Sequence, residues 1–212
     1  MFFRYLFLSL PLMAWAITLK AQFSDSFCDG DFTHDPQWVG TTEKFVVENQ
    51  MLRLMDETAG EAWLSTASSL AMDVCWEFWV RLGFTPSDNN TARIYVLSDQ
   101  ADLLSPLNGY YLQLGKTGTG NKRLFLYRQQ GSSHHLVFEG TGHHLPASNN
   151  QIRIRLNRDA WGEWTLWVDP QGNGMFFPDA QGFDNVFQGG TWFGLYARYT
   201  QSNASSFYFD DL

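Results

Sequence analysis

The sequence predicts an all-β protein folded as a two-sheet antiparallel β-sandwich, and three observations lead there. Apolar and polar residues alternate with a period of two from one end of the chain to the other. No window keeps apolar residues at helical spacing for three turns, and clusters of Gly, Asn, Asp and Ser interrupt the alternation at short intervals. Material for a core is ample: of 212 residues, 18 are Phe, 9 Trp and 8 Tyr, and 44% are hydrophobic. A chain of this composition is not a disordered tail, and its length suits a single domain.

The first 21 residues stand apart. Arg4 precedes an apolar stretch over residues 5–19, and the small residue Ala21 follows Lys20, which is the layout of a secretory signal peptide. That stretch contains Pro11 and is shorter than the roughly 20 residues a spanning helix needs. The expected mature domain is therefore 22–212, secreted or held at the cell surface, with no segment that inserts in a membrane. Residues 22–40 are rich in Asp and should wrap along a sheet edge.

Beyond residue 40 the alternation predicts strands at 45–47, 52–55, 63–66, 73–84, 93–97, 110–114, 124–127, 136–139, 152–156, 164–168, 192–199 and 207–209. The clearest is 73–84, where Val74, Trp76, Phe78, Val80 and Leu82 share the face expected to be buried and Cys75, Glu77, Trp79 and Arg81 the other. Turn residues at 48–50, 87–90, 118–121, 131–133 and 159–162 separate these strands. Residues 98–104 suit one helical turn, ended by Pro106.

Charge and cysteine usage narrow the function. The formal net charge is −8, and removal of residues 1–21, which carry two bases and no acid, takes it to −10. Such a chain lacks the basic surface that phosphate backbones require, so nucleic acid is not an expected partner. In an oxidising compartment Cys28 and Cys75 could form a disulfide, worth on the order of 4 kcal/mol for a loop of about 47 residues, or could remain as two buried thiols.

Chemistry-bearing motifs are sparse. No Gly-rich phosphate loop precedes a helix, and no Gly-x-Ser-x-Gly elbow occurs. His134-His135 and His143-His144 invite a metal reading, but neighbouring strand residues face opposite ways, so polar loop histidines are the better expectation. Asp25, Asp29, Asp31 and Asp35 fall within eleven residues. Were the first and last strands to pair, Asp210 and Asp211 would join them, and calcium is the cation that such a cluster would hold. The outward faces give the best binding candidates: Glu77, Trp79 and Arg81, then Arg93 and Tyr95, then Tyr111 and Gln113. If their strands are neighbours, aromatic platforms (Trp79, Tyr95, Tyr111) stand beside hydrogen-bonding groups, a surface suited to carbohydrate.

Three stretches together carry a family resemblance: Gln22-Phe23-Ser24-Asp25-Ser26-Phe27-Cys28-Asp29-Gly30-Asp31-Phe32 followed by Trp38; Leu97-Ser98-Asp99-Gln100-Ala101-Asp102-Leu103 with Leu107-Asn108-Gly109-Tyr110-Tyr111; and Phe207-Tyr208-Phe209-Asp210-Asp211. With the turn at 158–164, they make residues 22–212 resemble the N-terminal concanavalin A-like (laminin-G-like) sandwich of large secreted Bacteroidota proteins, in which a lamin-tail domain and a sorting domain often follow. The resemblance implies a jelly roll whose last strand is cut short at Leu212, with neighbouring domains of a longer polypeptide as partners. It implies little about activity, since the superfamily holds sugar-binding modules, glycosidases and structural domains. Its β-glucan hydrolases carry a Glu-x-Asp-x-x-Glu motif, of which the central strand here offers only Glu77, more simply read as the ion-pair partner of Arg81 or Arg93. The expectation is an exported, non-catalytic module that binds a polysaccharide or glycan or serves adhesion. The alternatives are a spacer without a small ligand and, more remotely, a glycoside hydrolase.

Overall fold

The computed structural model describes residues 23–118 and 122–212; the expected signal peptide lies outside them. Fourteen strands are formed among the described residues: β1 (Trp38–Gly40), β2 (Phe45–Glu48), β3 (Met51–Leu54), β4 (Gly60–Ala67), β5 (Val74–Leu82), β6 (Thr91–Ser98), β7 (Leu107–Leu114), β8 (Leu124–Gly131), β9 (Ser133–Glu139), β10 (Asn150–Arg158), β11 (Glu163–Asp169), β12 (Phe177–Phe183), β13 (Trp192–Tyr199) and β14 (Phe207–Asp210). They make two antiparallel seven-stranded sheets. Sheet A runs β1-β4-β13-β6-β7-β8-β9, and sheet B runs β12-β11-β10-β5-β14-β3-β2.

Alternation builds sheet B as the sequence predicts. On β5, Trp76, Phe78, Val80 and Leu82 are buried and Glu77, Trp79 and Arg81 lie half-buried on the outer face. Register then matches core to core: Phe78 lies opposite Ile154 and Trp76 opposite Leu156 on β10, whose Leu156 meets Leu166 on β11. Each such side chain contributes about 1.5–3 kcal/mol by leaving water. Trp76 also stacks on Trp164 at 5.9 Å. One continuous cluster fills the space between the sheets, from Phe27 and Trp38 through Phe78 to Phe207 and Phe209.

The N-terminal stretch wraps as expected, with Phe27, Phe32 and Trp38 turned into the core. Asp25 and Leu212 exchange a reciprocal pair of backbone hydrogen bonds, each 2.9 Å, so the first and last described segments lie side by side.

Three expectations are corrected. The helical turn expected at 98–104 does not form: Ser98 ends β6 and the rest is irregular or turn, because the Asp102 carboxylate accepts the Leu104 N–H (2.9 Å) and the Ser105 hydroxyl (2.7 Å). His134 and His135 stand on β9 rather than in a loop. Cys28 and Cys75 are neither bridged nor buried: Cys28 sits on the exposed turn after Phe27, where Ser26 Oγ donates to its sulfur (3.2 Å), whereas Cys75 lies on β5 opposite Asn157. Strands β1 and β12 add to those read from the sequence. β1 is three residues long, and β12 contains Pro178 and Gly182 and pairs with β11 through a register shift, so neither shows a period of two.

Candidate functional site

The outer face of sheet A carries a second, smaller cluster of Tyr95, Leu103, Leu107, Tyr111 and Tyr196, with Trp63 and Tyr127 against it. Register explains how it assembles. One row across the sheet reads Trp63 (β4), Tyr196 (β13), Arg93 (β6), Gln113 (β7) and Phe125 (β8); the adjacent row reads Gly194, Tyr95, Tyr111 and Tyr127. Two sequence-distant contacts hold the 99–106 loop over this face. Ser65 Oγ donates to the Ala101 carbonyl at 2.8 Å, and Leu103 fills the notch at Gly194, where a Cβ would come within 2.8 Å of its Cδ1.

Between that loop and the sheet lies a cavity of about 210 Å³ whose lining includes Glu61, Arg93, Ser105, Gln129, His134 and Arg198. Tyr196 donates its hydroxyl to Glu61 Oε1 at 2.7 Å, and Arg198 reaches the same oxygen through Nε (2.8 Å) and Nη2 (2.6 Å). Burial opposes ionisation of Glu61, but these bonds outweigh it and hold its carboxyl below the usual range. Tyr95 donates to Gln129 Oε1 at 2.8 Å. Burial, helped by the charge of Arg93, pulls the His134 pKa down, so its imidazole is neutral near pH 7; its Nδ1 lies 3.1 Å from the Tyr111 hydroxyl. Arg93 lies with its guanidinium 4.9 Å from the Tyr111 ring centre and 5.1 Å from that of Tyr196, and its Nε donates to Gln113 Oε1 at 3.2 Å.

The structure thus brings together four of the seven residues singled out for ligand contact and separates three. Arg93, Tyr95, Tyr111 and Gln113 share this face. Glu77, Trp79 and Arg81 stand on sheet B, because the chain crosses from one sheet to the other between β5 and β6. There Glu77 pairs with Arg155 (2.8 Å) and Arg153 (3.4 Å), not with Arg81 or Arg93, and Arg81 lies 3.7 Å from the centre of the Tyr208 ring. Tyr95 and Tyr111 are each 1% exposed, so they are not the open platforms expected; their rings pack on each other at 4.9 Å, and Arg93 lies against that of Tyr111. Glu61, Gln129, His134, Tyr196 and Arg198 are the residues that sequence reasoning did not assign to the site.

The acidic cluster is tied up largely in local hydrogen bonds and ion pairs. The Asp25 carboxylate caps the Phe27 N–H (2.9 Å) and accepts from Trp38 Nε1 (2.8 Å), Asp29 accepts the Asp31 N–H (3.1 Å), and Asp31 binds Thr33 and His34. Asp210 accepts the Asp211 N–H (2.8 Å), and Asp211 pairs with Arg153. Among the described residues no three His, Cys, Asp or Glu side chains are grouped as metal ligands. A melting temperature several degrees higher with calcium than with chelator would place the ion at these carboxylates, and superimposable curves would remove it.

These termini also hold a titration. Burial, reinforced by the charges of Asp211 and Asp25 against the opposing Arg153, pushes the Asp210 pKa up to about 6 from 3.8. A raised carboxyl favours the folded state below the unfolded pKa and loses that advantage as pH climbs through about 6. Asp210→Asn, which can keep the bond to the Asp211 N–H, should therefore raise the melting temperature at pH 8 and leave it unchanged at pH 4. A larger gain at pH 4 would refute the sign. Beside this junction a cavity of about 770 Å³ is lined by Phe23, Val74, Trp76, Glu77, Arg153 and Asp211 among others, with Glu77 and Asp211 tied to the same arginine.

Solved structures with the same architecture include lectin domains and a carbohydrate-binding module. The VIP36 exoplasmic/lumenal domain in its Ca²⁺/Man3GlcNAc-bound form superposes with a TM-score of 0.61 at 11% identity, over 91% of this chain and 86% of that one. The fold is the legume-lectin-like, concanavalin A-like sandwich. The carbohydrate-binding module CBM66 from Bacillus subtilis gives 0.54 at 12% identity, over 82% and 91%. The Emp47p carbohydrate recognition domain gives 0.55 at 13%, over 93% and 96%. No family model and no curated protein matches the chain. Among the described residues no helix is long and apolar enough to cross a membrane.

Proposed function

We propose that the protein is a non-catalytic carbohydrate-binding module, and that it binds through the outer face of sheet A. The observation that carries this reading is the cavity beneath the 99–106 loop, where Arg93, Glu61, Arg198, Gln129 and His134 converge. These are the group types that bond sugar hydroxyls, and they are held in place by one another before any ligand arrives. The names of the structural neighbours support the ligand class, since they include a mannose-containing glycan complex and a carbohydrate-binding module. Export of residues 22–212 after loss of the signal peptide, and a place within a larger adhesive or glycan-handling protein, belong to the same proposal and rest on the sequence alone.

A specific observation favours one other reading, that of a spacer domain: Tyr95 and Tyr111, which a sugar platform would expose, are buried. A glycan array probed with the wild-type protein, Arg93→Ala and Trp79→Ala separates the possibilities. Binding that is lost in Arg93→Ala and kept in Trp79→Ala supports the sheet A site. The reverse pattern would move the site to sheet B, and a silent wild-type array would leave the spacer.

A further inference from the structure

Arg93 is paired in a way unlike the other site charges. Glu61, the only carboxylate among the cavity's described lining residues, already receives three donors from Tyr196 and Arg198. Arg93 itself makes no ion pair with a carboxylate among the described residues: Nε donates to the neutral amide of Gln113 at 3.2 Å, the Tyr95 hydroxyl is a second neutral partner, and Glu61 feels its charge without bonding to it. Tyrosine rings lie against it from two sides, at 4.9 and 5.1 Å, which orients the guanidinium and displaces water from it. A half-buried cation that is oriented, partly desolvated and without a hydrogen-bonded carboxylate is poised for an oxyanion brought by a ligand.

The cavity's charge agrees. Arg93 and Arg198 against Glu61 leave one net positive charge, with His134 neutral, in a chain whose formal net charge is −8. One unit of charge matches a singly charged, planar carboxylate, which a guanidinium edge meets with two parallel hydrogen bonds. At about 210 Å³ the cavity is smaller than the roughly 300 Å³ at which drug-sized pockets begin, so it suits a single ring. Ser105, Ser132 and Gln129 in its wall supply neutral partners for the hydroxyls of that ring.

We propose that this site takes an acidic saccharide, with the carboxylate of one uronic acid residue seated on Arg93. The assignment rests on the carbohydrate-binding reading above and narrows it. Because a sulfate ester carries the same single charge, the test must tell the two anions apart.

Titration calorimetry of the full chain should use a panel of galacturonate, glucuronate and mannuronate oligosaccharides, their carboxyl-reduced counterparts, and sulfated neutral oligosaccharides. At least one uronide should bind, with affinity falling about ten- to a hundredfold on carboxyl reduction. Arg93→Gln should bring a similar fall while its melting temperature shows it folded. Arg93→Lys, which keeps the charge and loses the fork, should bind between the two. Equal binding of reduced and acidic forms, preference for the sulfated set, or uronide binding untouched in Arg93→Gln would each overturn the proposal. Binding of neutral sugars alone would overturn it and leave the carbohydrate-binding reading standing; silence from the whole panel would remove both.

Discussion

Arg158→Ala is expected to destabilise the sandwich by about 3–5 kcal/mol, read as a lower denaturant midpoint at unchanged slope. Arg158 is the last residue of β10, only 1% exposed, and its guanidinium is spent on backbone carbonyls: Nη1 donates to Ala71 (2.9 Å), and Nη2 to Asp184 (3.2 Å) and Phe187 (2.8 Å). It also lies 4.8 Å from the Tyr110 ring and 4.7 Å from that of Trp164. Alanine would leave the Ala71 and Phe187 carbonyls without this donor, each worth about 1–3 kcal/mol when buried, while the Asp184 carbonyl keeps Trp164 Nε1 (3.1 Å), and it would open a void between two aromatic rings. Arg158→Lys should recover part of the loss, because one ammonium cannot span three acceptors that a planar fork reaches. A loss below about 1 kcal/mol for the alanine variant would mean that water takes over these carbonyls.

Gly109→Ala should destabilise by about 3 kcal/mol for a different reason. Gly109 lies on β7 opposite Gln129, where β6 carries its bulge between Tyr95 and Leu97. A Cβ at this position would overlap the Leu97 carbonyl oxygen and come within 2.8 Å of the Leu97 carbonyl carbon. Both are backbone atoms, so no side-chain rotation relieves the clash and the β6–β7 ladder must open. Gly118→Ala is the control. Its φ is +93° but nothing among the described residues lies within 4 Å of the added carbon, so it should cost only about 1 kcal/mol of backbone strain. Equal losses at the two positions would show that conformation, rather than collision, governs both.

The layers of the fold were legible because a half-buried strand writes its environment into every second residue. Trp76, Phe78, Val80 and Leu82 on β5, and Ile152, Ile154 and Leu156 on β10, place themselves this way. β12 could not be read so, since Pro178 and Gly182 break the alternation on a strand with one partner. The site was legible only in part. Period two marks Arg93, Tyr95, Tyr111 and Gln113 as outward but does not say which strands adjoin, and β5 and β6 are consecutive in the chain yet lie in different sheets. Nor does it show that a loop will lie over an outward face. The apolar pair Leu103-Leu104 in a turn was the available signal, and Leu103 is the residue that packs there. Glu61 and Tyr196 meet across 135 residues, through a pairing of β4 with β13 that no local pattern encodes.

The outermost strands have a bearing on how molecules of this protein behave when crowded. An open sheet edge offers unpaired amides to any other chain, and long flat edges seed aggregation. Here β1 has three residues, and β2 has four before Asn49 and Gln50 turn the chain with positive φ. β12 carries a proline and an irregular register, and β9 lies against it across the sandwich. Three flanks are thus too short or too kinked to template a strand from a second molecule, which leaves the exposed 133–136 half of β9 as the edge where association between molecules would start.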